Sequence, residues 1–331
     1  MPETSQRFIE ANGLRLHITE QGTGPLVILC HGFPESWYSW RHQLRDLAEA
    51  GYRVVAPDMR GYGRSEQPAE VERYTLLHLV GDMVGLLDAL GETHAVIAGH
   101  DWGAPVAWHA ALLRPDRFRG VIALSVPYRP RGSAPPTSVM PRTDDALFYQ
   151  LYFQSPAAER ELDADPRASL AKILYSASGE GATLAQADGG GNLAMVRRSE
   201  GLLTRILEPD PLPEWLTETD LDFYAEQFAA KGFRGGLNWY RNLDRNWELL
   251  APFAGAPITV PALFIAGDRD LVVSSSGMRH SIADLPTFVP QLRGTLMLPG
   301  CGHWTQQERP REVSAAMIQF LRELSTNHGV I

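Results

Sequence analysis

Five residues, Gly99-His100-Asp101-Trp102-Gly103, constrain this chain more than any other feature. They follow a short apolar run over residues 93–98 and lead into a helix-like stretch from Ala104 to about Leu113. A strand, a sharp turn and a helix in that order lift the central residue of the turn above the end of a sheet. Glycines flank that residue because the turn has no room for a Cβ on either side. The residue lifted into view is an aspartate.

That choice of side chain narrows the chemistry. A serine in such a turn suits acyl transfer, because the ester it forms can be cleaved by water. Serine attack on a saturated carbon would leave an inert ether. A carboxylate attacking a saturated carbon forms an ester instead, and water can then attack its carbonyl. An aspartate is also ionised at neutral pH and needs no base to activate it. A histidine is then free to activate the water. Epoxide opening and halide displacement both fit this logic.

The chemistry needs a histidine near Asp101 and an acid to orient it. With a turn of this kind the chain order is nucleophile, acid, histidine. After a strand-like run at 262–266 comes Gly267-Asp268-Arg269-Asp270-Leu271-Val272, and after another at 296–298 comes Gly300-Cys301-Gly302-His303-Trp304. Loops at strand ends are where function concentrates. His303 is therefore the expected base and Asp270 the expected orienting acid, although spacing alone does not separate Asp270 from Asp268. His31-Gly32-Phe33-Pro34 ends another strand. The Phe33 N–H and the Trp102 N–H are the expected donors to the oxyanion that forms when the ester is hydrolysed. The stretch from Asp58 to Ser65, bent by Gly61 and Gly63, reads as a structural surface loop.

The 331-residue length suggests about two domains by rule of thumb. The pattern resolves this as one core with an insertion. Strand-like runs at 15–19, 26–29, 53–56, 95–98 and 121–126 alternate with helix-like runs at 39–50, 76–90 and 104–113. Such alternation implies an α/β fold with a mostly parallel sheet flanked by helices. Past Tyr128 a Pro-, Arg- and Ser-rich stretch intervenes, and residues 144–250 read as helical without clear strands. Strands then return, and an amphipathic helix over 310–324 closes the chain. We expect a core of residues 1–130 and 256–331, with 131–255 as a helical cap above the C-terminal strand ends, where open α/β sheets bind ligands. The glycine-rich run at 187–192 reads as a mobile loop, and 179–192 as a segment that could open or close the pocket.

A net charge of −9 with no basic run makes nucleic acid and anionic membranes poor partners. No run of about 18 apolar residues suggests a membrane span, and the N-terminus lacks signal-peptide shape. Two cysteines, Cys30 and Cys301, form neither a disulfide framework nor a zinc site. A cytoplasmic location is the expectation. No cofactor or metal motif is present, and homo-oligomerisation stays open.

From about Arg7 to Leu324 the chain resembles the soluble epoxide hydrolases of the α/β-hydrolase fold. The resemblance rests on His31-Gly32-Phe33-Pro34-Glu35-Ser36-Trp37, Gly99-His100-Asp101-Trp102-Gly103, Tyr149-Gln150-Leu151-Tyr152-Phe153-Gln154, Leu237-Asn238-Trp239-Tyr240-Arg241-Asn242 and Cys301-Gly302-His303-Trp304-Thr305. It implies Asp101 as nucleophile, Asp270 as the acid and His303 as the base. It also implies two cap tyrosines, Tyr240 and Tyr149, that donate to the epoxide oxygen, with Tyr152 as the alternative to Tyr149 and as a substrate contact beside Trp102 and Phe33. The substrate would be a small apolar epoxide and the second reactant water. The phosphatase domain that precedes the hydrolase in mammalian members has no counterpart in the pattern. The resemblance leaves open whether the natural epoxide is a lipid, a terpene or a xenobiotic.

Two other readings share parts of this pattern. A haloalkane dehalogenase would use the same aspartate and the following tryptophan, but often has asparagine where Phe33 stands and needs no paired cap tyrosines. A non-catalytic ligand-binding homologue would not require an intact set of Asp101, Asp270 and His303.

Overall fold

The strand-like runs assemble into one twisted sheet whose central strands are buried on both faces. The computed structural model describes residues 4–187, 194–274 and 276–328. Its strands are β1 (Ser5–Ala11), β2 (Leu14–Gln21), β3 (Leu26–Cys30), β4 (Arg53–Pro57), β5 (Ala95–His100), β6 (Phe118–Leu124), β7 (Ala146–Phe148), β8 (Met195–Arg197), β9 (Ala262–Gly267) and β10 (Leu292–Leu298). Eight of them form a sheet in the order β1-β2-β4-β3-β5-β6-β9-β10. Pairing is parallel from β4 through β10, while β1 and β2 add antiparallel strands at one edge.

Two apolar clusters show how the sequence dictates the layers. Side chains alternate across a strand. Leu26, Ile28 and Cys30 face one cluster together with Ile97 and Val121. Val27 and Leu29 face the other, with Val96, Ala98 and Ile122. Helices Leu76–Leu90 and Gly103–Leu113 cover the first face, with Leu79, Met83 and Leu86 among the packed residues. Helices Arg41–Glu49 and Pro310–His328 cover the second through Leu44, Leu47, Met317 and Phe320. A fully buried Val, Leu or Ile contributes about 1.5–3 kcal/mol, so this sheet is the rigid reference for everything mounted on its edge. The helix Leu76–Leu90 begins where Thr75 caps the His78 N–H and ends at Gly91, whose φ is +73°.

The chain between β6 and β9 holds the helices Pro156–Ala164, Pro166–Ser176, Gly179–Ala187, Glu218–Lys231, Arg234–Arg241 and Leu243–Leu249. It is not purely helical, as the sequence pattern suggested. β7 and β8 form an antiparallel pair of three residues each, too short to show a period. Residues 179–187, within the stretch read as helical, are helix, and 188–192 of the glycine-rich run read as a loop lie outside the described residues. The inserted segment is tied to loops at the C-terminal strand ends. The Trp239 indole N–H donates to the Arg60 carbonyl beyond β4, and the Tyr38 hydroxyl, beyond β3, donates to Asp220.

Among the described residues, no helix is long and apolar enough to cross a membrane. The stretch Asp58–Ser65 is not the surface loop expected. Asp58, Arg60, Tyr62 and Ser65 are all buried, and Asp58 accepts hydrogen bonds from the Trp37 and Arg64 N–H groups.

Candidate active site

The turn after β5 is as sharp as its glycines require. Asp101 sits at φ +49°, a left-handed conformation that aspartate tolerates better than most side chains. A Cβ on Gly99 would lie 1.9 Å from the Gly103 carbonyl oxygen. One on Gly103 would lie 2.1 Å from the Cys30 carbonyl oxygen of the neighbouring strand. The helix that follows starts at Gly103 with Trp102 as its N-cap residue, so the Trp102 N–H lies at an end where amides lack partners within the helix.

The two oxygens of the Asp101 carboxylate have different neighbours. Oδ1 accepts the Phe33 N–H at 2.8 Å. Oδ2 lies 3.4 Å from His303 Nε2. The other ring nitrogen, Nδ1, is 3.0 Å from Asp270 Oδ1. Asp270 is fully buried and also accepts the Val272 N–H at 2.8 Å. Asp268 is exposed and spends its Oδ1 on the Gly300 N–H. The structure thus separates the two acids that spacing left equivalent.

Burial works against ionising Asp101 and His303, and the opposite charges outweigh it. Burial alone would raise the Asp101 carboxyl, but the hydrogen bond and charge of His303, the ring of His100 and the Phe33 N–H hold it below its ordinary value. Burial alone would lower His303, but Asp270 and Asp101 together hold its proton well above the ordinary histidine range.

The inserted segment brings the two expected tyrosines over this carboxylate. Tyr240 is buried in the helix Arg234–Arg241. Its ring stands 5.2 Å from that of Trp102 and 5.5 Å from that of Phe33, centre to centre. Tyr149 opens the short helix Tyr149–Tyr152, 6.3 Å from the Tyr240 ring, and its hydroxyl accepts from the Gln150 amide. Gln154 fastens the two elements by donating to the Tyr240 carbonyl at 2.8 Å. Burial, then the nearby Asp101 charge, push both phenols above their ordinary value. Tyr152 does not join them. Its hydroxyl donates to Glu161 at 2.7 Å, and Glu161 also takes the Leu202 and Leu203 N–H groups. The Tyr152 hydroxyl is thus engaged with Glu161 rather than free beside Tyr240.

Sequence reasoning missed the polar layer beneath the site. Glu35, fully buried, accepts from the Gly32 N–H and from the side-chain amides of Gln306 and Gln307. It also lies 2.8 Å from His100 Nδ1. His100 Nε2 reaches the His303 carbonyl at 2.7 Å, and the Ser125 hydroxyl donates to that same oxygen. Glu35 and His100 fall inside the quoted motifs, but a buried polar residue leaves no periodic trace.

Comparison with known proteins agrees with this geometry. A family model for the alpha/beta hydrolase fold matches residues 25–310. Epoxide hydrolase A of Mycobacterium tuberculosis is 44% identical over 329 residues, spanning 98% of this chain and 99% of that protein. Epoxide hydrolase 3 of Siraitia grosvenorii is 42% identical over 330 residues, spanning 98% and 100%. The solved structure of an epoxide hydrolase from an endophytic Streptomyces superposes with a TM-score of 0.93 at 47% identity, covering 98% of this chain and 96% of that one. With a carboxylate at the turn, a buried acid–histidine pair beneath it and two phenols above, the chain belongs to the epoxide hydrolases of the α/β-hydrolase fold.

Proposed function

We propose that the chain hydrolyses an epoxide to a vicinal diol in two steps, with residues 1–130 and 256–331 as the catalytic core and 131–255 as the cap. In the first step Asp101 Oδ2 attacks a ring carbon and the carbon–oxygen bond breaks. The electron pair goes to the epoxide oxygen, which takes a proton from Tyr240 or Tyr149. A phenol held above its ordinary value stays protonated at neutral pH yet can donate to an alkoxide, a much stronger base. In the second step His303 removes a proton from water, and the water oxygen adds to the Asp101 carbonyl carbon. Negative charge collects on Oδ1, which already accepts the Phe33 N–H, with the Trp102 N–H as the second donor in this reading. Collapse expels the diol oxygen, which takes the second water proton from the carboxyl and so restores the carboxylate, and the proton that His303 removed makes good the one the tyrosine gave to the epoxide oxygen. Asp270 keeps the His303 ring oriented and supports its positive charge.

The observation that carries this reading is the split environment of Asp101, with an amide on one oxygen and His303 beside the other. The surrounding rings of Phe33, Trp102 and Phe153 favour a small, neutral, apolar epoxide. A cytoplasmic location fits two buried cysteines that form no disulfide.

The test is to stop the reaction between its steps. His303→Gln should still be alkylated by an epoxide such as styrene oxide but should not turn over. Intact-protein mass spectrometry should show one added substrate mass on the peptide containing Asp101. Full turnover with no adduct would falsify the assignment.

A further inference from the structure

The main chain of His303 is held at every polar atom, and one acidic side chain outside the site supplies much of the hold. The His303 carbonyl is fixed from the sheet side by His100 and Ser125. Its own N–H donates in the opposite direction, to the Ala177 carbonyl of the inserted segment, at 2.8 Å. The amides on either side of it, those of Gly302 and Trp304, both turn to Glu308. Gly302 N–H reaches Oε2 at 2.9 Å, and Trp304 N–H reaches Oε1 at 3.0 Å. Glu308 Oε2 accepts a third amide, that of Gly179, at 2.9 Å. Gly179 and Ala177 belong to the same turn, at the end of the helix Pro166–Ser176. The Trp304 indole N–H adds a bond to the Leu174 carbonyl in that helix.

Glu308 is 9% exposed, and no cation partners its side chain among the ion pairs of the described residues. Its role is therefore to gather amides. One carboxylate spans two chain segments, the 302–304 loop and the 177–179 turn. Burial raises the Glu308 carboxyl, and the three amides work against that rise.

We infer that Glu308 is a positioning residue for the hydrolytic step, locking the His303 loop to the turn at residues 177–179 of the inserted segment. The inference rests on the reading of Asp101 and His303 given above. Alkylation uses Asp101 and the tyrosines, none of which Glu308 touches. Ester hydrolysis needs the His303 ring aimed at a water beside the ester, and the ring follows its main chain. Misplacement of a catalytic group by about 1 Å can cost on the order of a hundredfold in rate. A loosened loop therefore penalises the second step and spares the first.

Single-turnover and steady-state kinetics of Glu308→Gln with styrene oxide test this. Glutamine keeps the length but offers one acceptor oxygen instead of two, so an amide is left unmatched. Ester hydrolysis should slow about tenfold or more, with alkylation changed less than about threefold. The ester then accumulates. Both kcat and KM fall while kcat/KM is nearly kept, a split that a partly unfolded enzyme would not show. Equal slowing of both steps, a loss of kcat at constant KM, or unchanged kinetics would each overturn the inference. If Glu308→Gln does not fold, Glu308→Asp, which keeps the charge on a shorter arm, is judged by the same split. Failure of the underlying reading is distinguishable, because wild type and His303→Gln would then form no ester at all.

Discussion

At Asp101 two oxygens of one side chain are given different work by their neighbours. Oδ1 is held by the Phe33 N–H, and in the proposed reaction it becomes the ester carbonyl oxygen while Oδ2 attacks. In the proposed first step the tyrosines supply the proton, and a departing halide would need neither of them. Tyr240→Phe removes a proton donor and keeps the ring that packs on Trp102 and Phe33. Loss of one such donor costs on the order of a hundredfold, softened here by the remaining phenol of Tyr149. Pre-steady-state alkylation should slow, and hydrolysis of the preformed ester should not. The double change with Tyr149→Phe should cost more than either alone, and an unaffected alkylation rate in the double variant would locate the proton source elsewhere. Glycine spacing and long motifs pointed to Asp101, His303 and these tyrosines, and the fold brings them together. Asp268 and Asp270, and Tyr149 and Tyr152, differ in burial and in partners distant in sequence, such as His303 and Glu161, which spacing does not reveal. Glu35, His100 and Glu308 act as acceptors of main-chain amides or beneath the ring, and nothing local in the chain announces such a role.

Among the elements, the helix Arg234–Arg241 has the narrowest tolerance. It sets the height of Tyr240 above the carboxylate. Its Gly235 lies so close to Gly61 that an added Cβ would sit 2.0 Å from the Gly61 carbonyl oxygen. Four residues on, its Trp239 indole bonds the Arg60 carbonyl at 3.1 Å. This explains why the stretch Asp58–Ser65 is buried rather than exposed: it is the seat for that helix. Alanine normally favours a helix over glycine by about 1 kcal/mol, but here the contact is with backbone that cannot swing aside. Gly235→Ala should lower the melting temperature despite the better propensity, and should slow alkylation about 10- to 100-fold by lifting Tyr240. Thermal unfolding and stopped-flow alkylation measure the two effects, and unchanged values in both would show that the seat is loose. The elements that escaped sequence reading are those without a burial rhythm. β1 is almost entirely exposed until its last residues, and β7 and β8 are three residues each.

Over the whole molecule, the alternation of buried runs and helices made the parallel sheet and the insertion readable, because layers must bury apolar faces. Charge in the interior was not readable, and it controls how the molecule responds to pH. The His303 proton is held above its ordinary value by Asp270 and Asp101. Its contribution to stability is complete below about pH 6.5, the free-histidine value, and is lost as pH rises through the raised value in the fold. Asp101, held low, contributes in the other sense: its share is present above about pH 3.9 and lost as pH falls through its lowered value. Asp101→Asn removes one of the two carboxylates on the imidazole. NMR titration of the His303 ring should then show its proton leaving at lower pH, and the range over which stability is lost should move down with it. A titration that stays in place would show that Asp101 does not help to hold the proton. Esterification neutralises Asp101 just as that substitution does. In the proposed reaction the free carboxylates of Asp101 and Asp270 hold the imidazole proton, and ester formation would remove one of them. The imidazolium would then give up its proton more readily, leaving a neutral base for the water step. The placement of one histidine between two carboxylates would thus couple its basicity to the state of Asp101.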